Sequence, residues 1–417
     1  MAENEPVTIV GAGIVGICCA LSLQEKGLKV RLIDPDDPGQ GTSMGNAGII
    51  SPWSCIPQSM PGMWKQVPKW LLSKDGPVSI PISYFPRFIP WGLRFLRSGR
   101  QRSVRQISAA MSELVTPNID LYRRHLTDTG CEYLLRPSSY VFVSRKPQPD
   151  FPNGLSWDLR RNVGAPMRRV SGKELREMEP ALSVDFDSAI VLEDQARAIS
   201  PGKIGQVLAE KVQKQGGIIE RFQVLSLKPQ INGKGWIVKT TESDLSCEKV
   251  VLAAGAWSAR LLSRLGIKVP LEAEGGYHTV FKSPGIELNN SISDLDYHIV
   301  CSSMESGLRT AGTAEFAGLN AEPNYQRAKL LIGQTKAMFP DLNTSEVDYW
   351  RGVRPSFPDS LPAIGEIKGL PNLFAAFGHS HYGLGMAPKT GQLIAELVSG
   401  GRPNCDMSAY DTMRFSA

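Results

Sequence analysis

The 417-residue sequence is poor in cysteine and histidine. Its seven cysteines form no Cys-x-x-Cys pair, and its five histidines form no His-Glu-x-x-His motif. Neither a disulfide framework nor a metal site of a common kind is therefore indicated. The cysteines are expected to be reduced thiols of a cytosolic protein. A Walker loop is also absent.

Long apolar runs are missing as well. No stretch has the length of a transmembrane helix, and the polar leader MAENEP has neither the basic region nor the cleavage site of a signal peptide. The length suffices for two domains, or for one large domain with an excursion. We therefore expect a cytoplasmic protein, with peripheral attachment to the inner face of the cell membrane as the alternative.

Acidic residues and lysine are absent between Gly76 and Ser112. The formal net charge of the whole chain is +5, and this stretch alone contributes six positive charges. They belong to Arg87, Arg94, Arg97, Arg100, Arg102 and Arg105. Aromatic residues are interleaved with the arginines from position 84 onward. A solvated helix face packed on the main body would explain the pattern, and so would a membrane or electron-acceptor surface over residues 84–105. Nucleic-acid binding is not expected, because no recognition motif accompanies the patch.

The N-terminal segment VTIVGAGIVGICCALSLQEKGLKVRLID predicts a dinucleotide-binding unit. It reads as a strand at Val7–Val10, a Gly-x-Gly-x-x-Gly turn, a helix over 14–24, a second strand at Val30–Ile33 and an acidic residue, Asp34. An ordinary βαβ unit with glycines in its turn is the alternative. The segment alone admits both NAD and FAD.

Each residue type in this unit has a physical task. Gly11 permits the tight turn, Gly13 lets the backbone approach a pyrophosphate, and Gly16 allows the helix to pack close to the strand. The helix N-terminus offers unpaired N–H groups and a positive dipole end to the phosphates. Asp34 would accept the adenosine ribose hydroxyls and repel a 2′-phosphate, which argues against NADP.

The rest of the chain alternates strands and helices. The apolar run at 249–258 predicts a buried parallel strand, and the run at 373–377 predicts a further buried strand. The segment 190–227 predicts a strand, a helix from Ser200–Pro201 and another strand. Shorter alternating segments at 276–281, 298–301 and 308–313 predict an antiparallel sheet over a substrate pocket. Further elements are expected as helices at 114–126, 327–338 and 388–398, and as a strand at 140–144.

Five motifs together resemble the D-amino-acid oxidase and glycine oxidase superfamily of FAD-dependent oxidoreductases. They are GAGIVG with Asp34, TSMGNAGIISP, EGGYH, WRGVRPSFPDSLPAIG and NLFAAFGHSHYGLGMAP. The resemblance covers nearly the whole chain and is strongest to the bacterial D-amino-acid dehydrogenase branch, which includes hydroxyproline and D-proline dehydrogenases.

This resemblance implies an α/β fold (α+β overall), with a Rossmann-like FAD-binding domain and an antiparallel-sheet substrate domain. Residues 1–60, 165–260 and 350–417 would form the first, and residues 61–164 and 261–349 the second.

The resemblance also implies which residues contact FAD. Val224 would read the adenine through its backbone, the loop after Asp34 would lie against the flavin, and a helix beginning near Pro388 would direct its positive end at the flavin N1 and O2. The implied FAD-binding residues are Gly11, Gly13, Ile14, Val15, Gly16, Asp34, Thr42, Ser43, Asn46, Ala47, Gly48, Ile49, Val224, Ala254, Gly255, Trp257, Gly378, His379, Gly383, Leu384, Gly385 and Met386.

For the substrate, the resemblance implies that Arg354 grips a carboxylate through two parallel hydrogen bonds. Arg351 is the second candidate for this role. Tyr277 and His278 would assist, and His379 and His381 would tune the substrate amine or accept its proton. Glycine oxidases carry an arginine in the GHxRxG loop, where this chain has His381. A neutral imidazole would grip a carboxylate less firmly, which argues against glycine or sarcosine.

The implied reaction is removal of a hydride from the Cα of a D-amino acid to flavin N5, giving an imine. Cyclic substrates such as D-proline or hydroxy-D-proline are the leading expectation. Oxidation of glycine, sarcosine or another secondary amine, a nicotinamide dehydrogenase, and a non-catalytic flavin electron-transfer subunit remain alternatives. The electron acceptor is left open between a quinone, a protein and dioxygen.

Overall fold

The computed structural model describes residues 5–73, 76–146, 153–231, 233 and 235–415. The first four residues of the polar leader lie outside the described residues. Within these ranges the strands are β1 (Val7–Val10), β2 (Val30–Ile33), β3 (Ile49–Ile50), β4 (Val78–Ser79), β5 (Leu135–Val143), β6 (Met167–Ser171), β7 (Ser188–Ala198), β8 (Ile218–Glu220), β9 (Val224–Pro229), β10 (Trp236–Thr240), β11 (Asp244–Cys247), β12 (Val250–Leu252), β13 (Glu272–Phe281), β14 (Ser291–Asp294), β15 (Ile299–Met304), β16 (Gly307–Ala311), β17 (Ala314–Phe316), β18 (Val347–Ser356), β19 (Ala363–Glu366) and β20 (Leu373–Phe377).

The α-helices of the described residues are α1 (Ile14–Glu25), α2 (Val67–Leu72), α3 (Phe85–Ser98), α4 (Gln101–Val115), α5 (Asn118–Leu126), α6 (Leu155–Asn162), α7 (Gly172–Met178), α8 (Pro201–Lys214), α9 (Ser258–Ser263), α10 (Gln326–Met338) and α11 (Gly383–Val398).

A six-stranded sheet with the order β19-β20-β12-β1-β2-β8 contains both the first and the last strand of the described residues. Its strands are parallel except for the edge strand β19. Ile9 faces a core shared with α1, α8 and α11, whereas Val10 faces a core shared with the three-stranded sheet β9–β11. Both faces of β1 are thus buried, which explains its continuous apolar sequence. This doubly covered sheet confirms the predicted Rossmann-like unit.

The second large sheet is mostly antiparallel and follows the order β3-β7-β5-β14-β15-β16-β13-β17-β4, with β6 beside β7 and β18 beside β13. The longest pairing relevant to the site joins β13 to β18, from Glu272 opposite Ser356 to Phe281 opposite Val347. This pairing aligns the EGGYH segment with the RGVRP segment. The α/β fold with an antiparallel sheet is therefore as predicted.

The proposed domain boundaries stay a prediction. Three stretches assigned to the FAD-binding domain, residues 49–50, 167–198 and 350–356, contribute strands β3, β6, β7 and part of β18 to the larger sheet.

Several predicted elements differ in extent, among them the strands predicted at 140–144 and 276–281, which begin at Leu135 and Glu272. Three further differences have a clear form. The helix expected over 114–126 is two helices, α4 and α5, separated at Thr116 and Pro117, because a proline disfavours helical geometry at the preceding residue and lacks an N–H. The strand expected over 249–258 ends at Leu252, and a turn and helix α9 follow. The last helix begins at Gly383 rather than near Pro388.

Pro388 therefore lies inside α11, where it cannot donate to the carbonyl of Leu384, four residues earlier. The hydroxyl of Tyr122, from α5, donates to that same carbonyl at 2.6 Å. Tyr122 is fully buried, so its hydroxyl and the Leu384 carbonyl have no access to water. A side chain from another helix thus replaces the hydrogen bond that proline removes.

We expect Tyr122→Phe to lower the free energy of unfolding by about 1–3 kcal/mol, because it leaves a buried carbonyl without a donor. Pro388→Ala restores a backbone N–H that can reach Leu384. Denaturant titration of both single variants and the double variant measures the coupling. The cost of Tyr122→Phe should shrink in the Pro388→Ala background, and an equal cost in both backgrounds would contradict this account.

Candidate active site

One cavity of about 1180 Å³ extends between the six-stranded sheet and the larger sheet. It is larger than the ~300–1,000 Å³ of an ordinary small-molecule pocket. Nineteen of the twenty-two residues predicted to bind FAD line it, and the exceptions are Gly16, Gly48 and Met386. Gly16 and Met386 pack inside α1 and α11 instead. A cavity of this size accommodates a dinucleotide together with a small substrate.

The glycine turn has the geometry that a pyrophosphate site requires. Gly11 has φ +110°, and a Cβ there would lie 2.5 Å from the Ala253 carbonyl oxygen. A Cβ on Gly16 would lie 1.9 Å from the Gly11 carbonyl oxygen. A Cβ on Gly13, in contrast, would meet no atom of the described chain within 4 Å. The space beside Gly13 opens on the cavity, as expected for a backbone that closely approaches phosphate.

Two helix N-termini open on the same cavity. Helix α1 begins at Ile14 and α11 at Gly383, and both first residues line the cavity wall. The helices pack closely at Gly391, where a Cβ would lie 2.4 Å from the Cys18 carbonyl oxygen. Their positive ends therefore suit the pyrophosphate and the electron-rich edge of the flavin, respectively. The prediction that the last helix directs its positive end at the flavin can therefore be retained, but the helix begins at Gly383 and not near Pro388.

Asp34 follows β2 at the cavity wall. Its carboxylate accepts hydrogen bonds from the Ala12 N–H at 2.7 Å and the Asp36 N–H at 3.0 Å. Burial raises the pKa of this carboxyl, while the two backbone hydrogen bonds oppose that shift. The same bonds fix the side chain beside the glycine turn, where a ribose hydroxyl would meet it.

The loop at 42–48 is held by side chains and backbone of the larger sheet. The Arg309 guanidinium donates to the carbonyl oxygens of Met44 and Asn46, each at 2.8 Å. The Thr42 hydroxyl donates to the Val353 carbonyl at 2.7 Å. Asn46 closes the loop by accepting from the Gly48 N–H. The segment predicted to lie against the flavin is therefore fixed by the chain itself.

Arg354 belongs to a cluster that sequence reasoning did not find. Its Nη1 donates to Glu274 Oε1 at 2.7 Å and to the Thr313 carbonyl at 3.1 Å. Glu274 is 1% exposed, and its Oε2 accepts from the Ser356 hydroxyl at 2.7 Å. The Nε and Nη2 of Arg354 have no hydrogen-bond partner among the described residues and remain available toward the cavity.

His381 completes this cluster. Its Nε2 lies 3.0 Å from Glu274 Oε1, and its Nδ1 contacts the Gln58 amide nitrogen. Burial and the charge of Arg354 lower the pKa of His381, so it is neutral and donates from Nε2. Burial alone would raise the pKa of Glu274, but the bonds from His381 and Ser356 and the charge of Arg354 hold it well below its usual range. The cluster is a carboxylate with one cation and one neutral imidazole.

Close packing against glycine positions the guanidinium. Glu274 lies opposite Arg354 in the β13–β18 pairing, and a Cβ on Gly276 would come 2.3 Å from Arg354 Cζ. Side chains alternate between the two faces of a strand, so Glu274, Gly276 and His278 share one face. A glycine in the middle of that face leaves the room that Arg354 fills.

The other predicted histidines are also engaged. His278 Nδ1 lies 3.0 Å from the Gly45 carbonyl, and its ring stacks on Trp350 at a centroid distance of 5.0 Å. His379 Nε2 lies 3.0 Å from the Thr390 hydroxyl oxygen. Burial lowers the pKa of each to about 3, and Arg309 adds to the effect at His278. Both imidazoles are neutral at physiological pH and anchor the FAD-facing loops.

Tyr277 and Arg351 occupy the other face of the paired strands. The Tyr277 hydroxyl donates to Glu315 Oε2 at 2.6 Å and accepts from the Asn324 N–H at 2.8 Å. Arg351 Nη1 donates to the Ala321 carbonyl at 2.8 Å. The structure therefore brings Arg354 and His381 together around Glu274, but it separates Tyr277 from them. Their roles in substrate binding stay predictions.

Glu274 had a signal in the sequence that could have found it. It is an acidic residue in a strand whose ten residues are buried except at the first position. A carboxylate in such a strand requires a cationic partner. Its partner is 80 residues away along the chain, however, and only the strand register identifies it.

The site and fold together define a flavin-dependent oxidoreductase. Residues 6–397 match the FAD dependent oxidoreductase family, and the chain belongs to it. FAD is therefore its cofactor, and the glycine turn, Asp34 and the two helix N-termini fit that dinucleotide.

One relative agrees with this assignment in sequence, and two solved structures share the fold. The chain is 36% identical over 425 residues to a D-amino-acid oxidase of Bradyrhizobium diazoefficiens, with 100% of both sequences covered. Glycine oxidase from Geobacillus kaustophilus has a similar structure, with a TM-score of 0.73, 21% identity and 99% of each chain covered. L-proline dehydrogenase from P. horikoshii gives a TM-score of 0.75 at 19% identity, covering 100% of this chain and 99% of that one.

Proposed function

We propose that this protein oxidises the Cα–N bond of a D-amino acid to an imine. The observation that carries the proposal is the Arg354 guanidinium, which Glu274 fixes on the wall of the cavity that holds the FAD-binding turn. The full-length relative of 36% identity is a D-amino-acid oxidase, which supports an amino acid of D configuration.

FAD, when bound, accepts the hydride that leaves Cα. The chain's own residues bind and orient the substrate. Arg354 holds the carboxylate through Nε and Nη2, two donors on the free edge of a planar guanidinium, which sets the direction of the Cα–H bond. Removal from water disfavours the charged ammonium form of the substrate, so the nitrogen reacts as the free amine after its proton has passed to water, and no strong base is required.

The fate of the imine depends on the substrate. An acyclic imine hydrolyses to a 2-oxo acid and ammonia, whereas a proline-like substrate yields a pyrroline carboxylate. D-Proline and hydroxy-D-proline are the cyclic candidates.

Anaerobic loss of the flavin absorbance with a panel of amino acids tests the proposal. We expect D-amino acids to bleach the purified protein and their L enantiomers to leave it oxidised. Preferential bleaching by glycine or sarcosine would instead support a glycine or secondary-amine oxidase. If dithionite reduces the flavin but no amino acid does, the amino-acid assignment fails and an electron-transfer subunit takes its place.

We further propose that α3 docks on an anionic membrane, from which a quinone takes the electrons. An exposed apolar stripe runs along Phe85, Ile89, Leu93 and Leu96, at the spacing of one helix face. Two further apolar side chains earlier in the sequence are also exposed. They are Ile82, at 93% exposure, and Trp64, at 62%. On the other face of α3, Phe88 and Trp91 pack against Phe316, and Phe95 stacks on Trp91.

The charges near this stripe complement anionic lipid. All six arginines between Gly76 and Ser112 are exposed, and none forms an ion pair among the described residues. The cavity reaches the stripe, because Phe85, Ile89, Leu93 and Leu96 also line it. A lipid-soluble acceptor would therefore enter from this side. No helix in the described ranges is long and apolar enough to cross a bilayer.

Vesicle cosedimentation tests the docking surface. The wild type should bind vesicles containing phosphatidylglycerol more tightly than neutral phosphatidylcholine vesicles. Exchanging Arg87, Arg94 and Arg97 for serine should weaken this binding by about a hundredfold, at about 1 kcal/mol for each charge. Val184→Ser, which removes another exposed apolar side chain, is the control and should bind as the wild type. Equal binding of the triple variant would remove the proposal.

A further inference from the structure

A second arginine, Arg160, lines the cavity from helix α6. Its guanidinium lies over two aromatic rings, 5.0 Å from the centroid of Trp157 and 5.4 Å from that of Phe142. Its neighbour Arg161 has a different environment, since it pairs with Asp158 at the surface. The aromatic rings hold Arg160 in place without neutralising its charge.

Arg160 has no acidic partner among the described residues. Its Nε is buried without a hydrogen bond, and its Nη1 makes only a long contact of 3.4 Å with the Ser156 carbonyl. Three titratable side chains lie close enough to affect the pKa of Arg160 through their charge, namely Cys55, Tyr140 and Tyr382. Burial raises the pKa of all three, so each is neutral at physiological pH. Arg160 is therefore a partly buried cation without an acidic counter-charge among the described residues.

The contrast with Arg354 is informative. Arg354 is balanced by Glu274, and the neutral His381 leaves that cluster without net charge. At Arg160 the positive charge is uncompensated. An unpaired charge away from water is costly, and a ligand anion that pairs with it removes much of that cost.

Arg160 and Arg354 belong to one chamber. Tyr382 adjoins His381, and their rings lie 6.5 Å apart. Tyr382 is also close enough to Arg160 and to Glu274 for both charges to act on the pKa of its hydroxyl. That hydroxyl donates to the Ile56 carbonyl, which keeps it at the cavity wall. A small substrate held by Arg354 would thus extend past Tyr382 toward Arg160.

We propose that Arg160 binds a second carboxylate of the substrate, so that the preferred substrates are amino or imino acids with an acidic side chain. This inference rests on the proposed amino-acid oxidation. A carboxylate matches a planar guanidinium through two parallel hydrogen bonds, whereas a hydroxyl cannot neutralise it. D-Proline and hydroxy-D-proline lack a second carboxylate and rank below acidic substrates on this ground.

Isosteric substrate pairs test the subsite. We expect the wild type to reduce its flavin with D-glutamate at a kcat/KM at least about tenfold above that for D-glutamine, as one charged hydrogen bond can supply. Arg160→Gln should abolish this preference, mainly through KM, while the value for D-glutamine changes by less than about twofold. Arg160→Lys should keep part of the preference and shows that the fold tolerates substitution there.

Arg161→Gln, one position along the same helix, is the matched control and should behave as the wild type with both substrates. Equal kcat/KM of the wild type for D-glutamate and D-glutamine would overturn the inference. So would an Arg160→Gln variant that loses activity toward both by the same factor.

Ligand binding separates this inference from the proposed function. Glutarate and its half-amide, glutaramate, cannot be oxidised as amino acids, and each perturbs the absorbance of bound FAD if it occupies the chamber. We expect the wild type to bind glutarate at least about tenfold more tightly than glutaramate, and the Arg160→Gln variant to bind both ligands with equal affinity. This result would uphold the subsite even if no amino acid bleaches the flavin. Equal affinities in the wild type would refute it even if D-amino acids are oxidised.

Discussion

Arg354→Met should lower kcat/KM for the amino-acid substrate by about two to four orders of magnitude. Two charge-assisted hydrogen bonds to the substrate carboxylate would be lost, each contributing about 1.5–3 kcal/mol. Arg354→Lys should recover part of the loss, because an ammonium keeps the charge but not the paired donors. Anaerobic stopped-flow reduction of the flavin measures both variants directly.

The substitution also removes the cation that faces the buried Glu274, and this would destabilise the fold. The double variant Arg354→Met with Glu274→Gln addresses that complication, since its buried side chains carry no unpaired charge. It should regain stability without regaining activity. Recovery of activity in the double variant would show that Arg354 acts through the fold rather than on the substrate.

Arg351→Met is the matched control within the same strand. Arg351 lies three residues from Arg354, on the opposite face of β18, and donates to the Ala321 carbonyl. We expect its replacement to change kcat/KM by less than about tenfold, as for one neutral hydrogen bond. If Arg351→Met removes activity while Arg354→Met leaves it, the carboxylate lies on the other face and the assignment must be exchanged.

Gly16→Ala should yield protein with little or no FAD. The new Cβ would lie 1.9 Å from the Gly11 carbonyl oxygen, a backbone atom that cannot withdraw without displacing the turn. Such overpacking costs about 1–3 kcal/mol in stability, and the displaced turn no longer presents its N–H groups to phosphate. Flavin content, read from the absorbance of the purified protein, and the thermal unfolding midpoint are both expected to fall.

Gly13→Ala separates the cofactor effect from the folding effect. Its φ of −69° suits alanine, and the added methyl meets no atom of the described chain within 4 Å. The apoprotein should therefore unfold at nearly the wild-type temperature, whereas Kd for FAD rises by about tenfold to a hundredfold, because the methyl occupies the phosphate approach. Gly333→Ala, an equally open position in α10, is the control. Unchanged FAD affinity in Gly13→Ala would place the pyrophosphate elsewhere.

The sequence was sufficient for elements whose signals are local. The first strand, helix and second strand were predicted because apolar runs and a glycine turn follow one another within thirty residues. The end of α8 near Gly216 and the strand at 373–377 follow from equally local patterns. For these elements, propensity and tertiary packing favour the same structure.

The start of α11 was missed because tertiary contacts override local preference there. Two glycines and a proline within six residues disfavour a helix, so Pro388 was taken as a first-turn residue. The structure shows that Tyr122 satisfies the carbonyl that the proline leaves free. No pattern within residues 383–398 indicates that donor.

The candidate site was predicted in part for the same reason. The motifs identified Arg354 and the FAD-facing loops. The pairing of Glu274 with Arg354 depends on the register between β13 and β18. The position of Arg160 in the cavity depends on the packing of α6 against β5. Both are relations between distant segments, which one sequence without relatives does not encode in readable form.

The position of α11 has a consequence for biosynthesis. The cofactor site needs both the turn before α1 and the N-terminus of α11, and the ribosome makes the turn long before it makes that helix. Strand β20, which adjoins β12 in the same sheet, is equally late. A nascent chain that ends before residue 373 therefore lacks one wall of the site. The complete FAD site therefore forms only after the segment from β20 to the start of α11 has been synthesised.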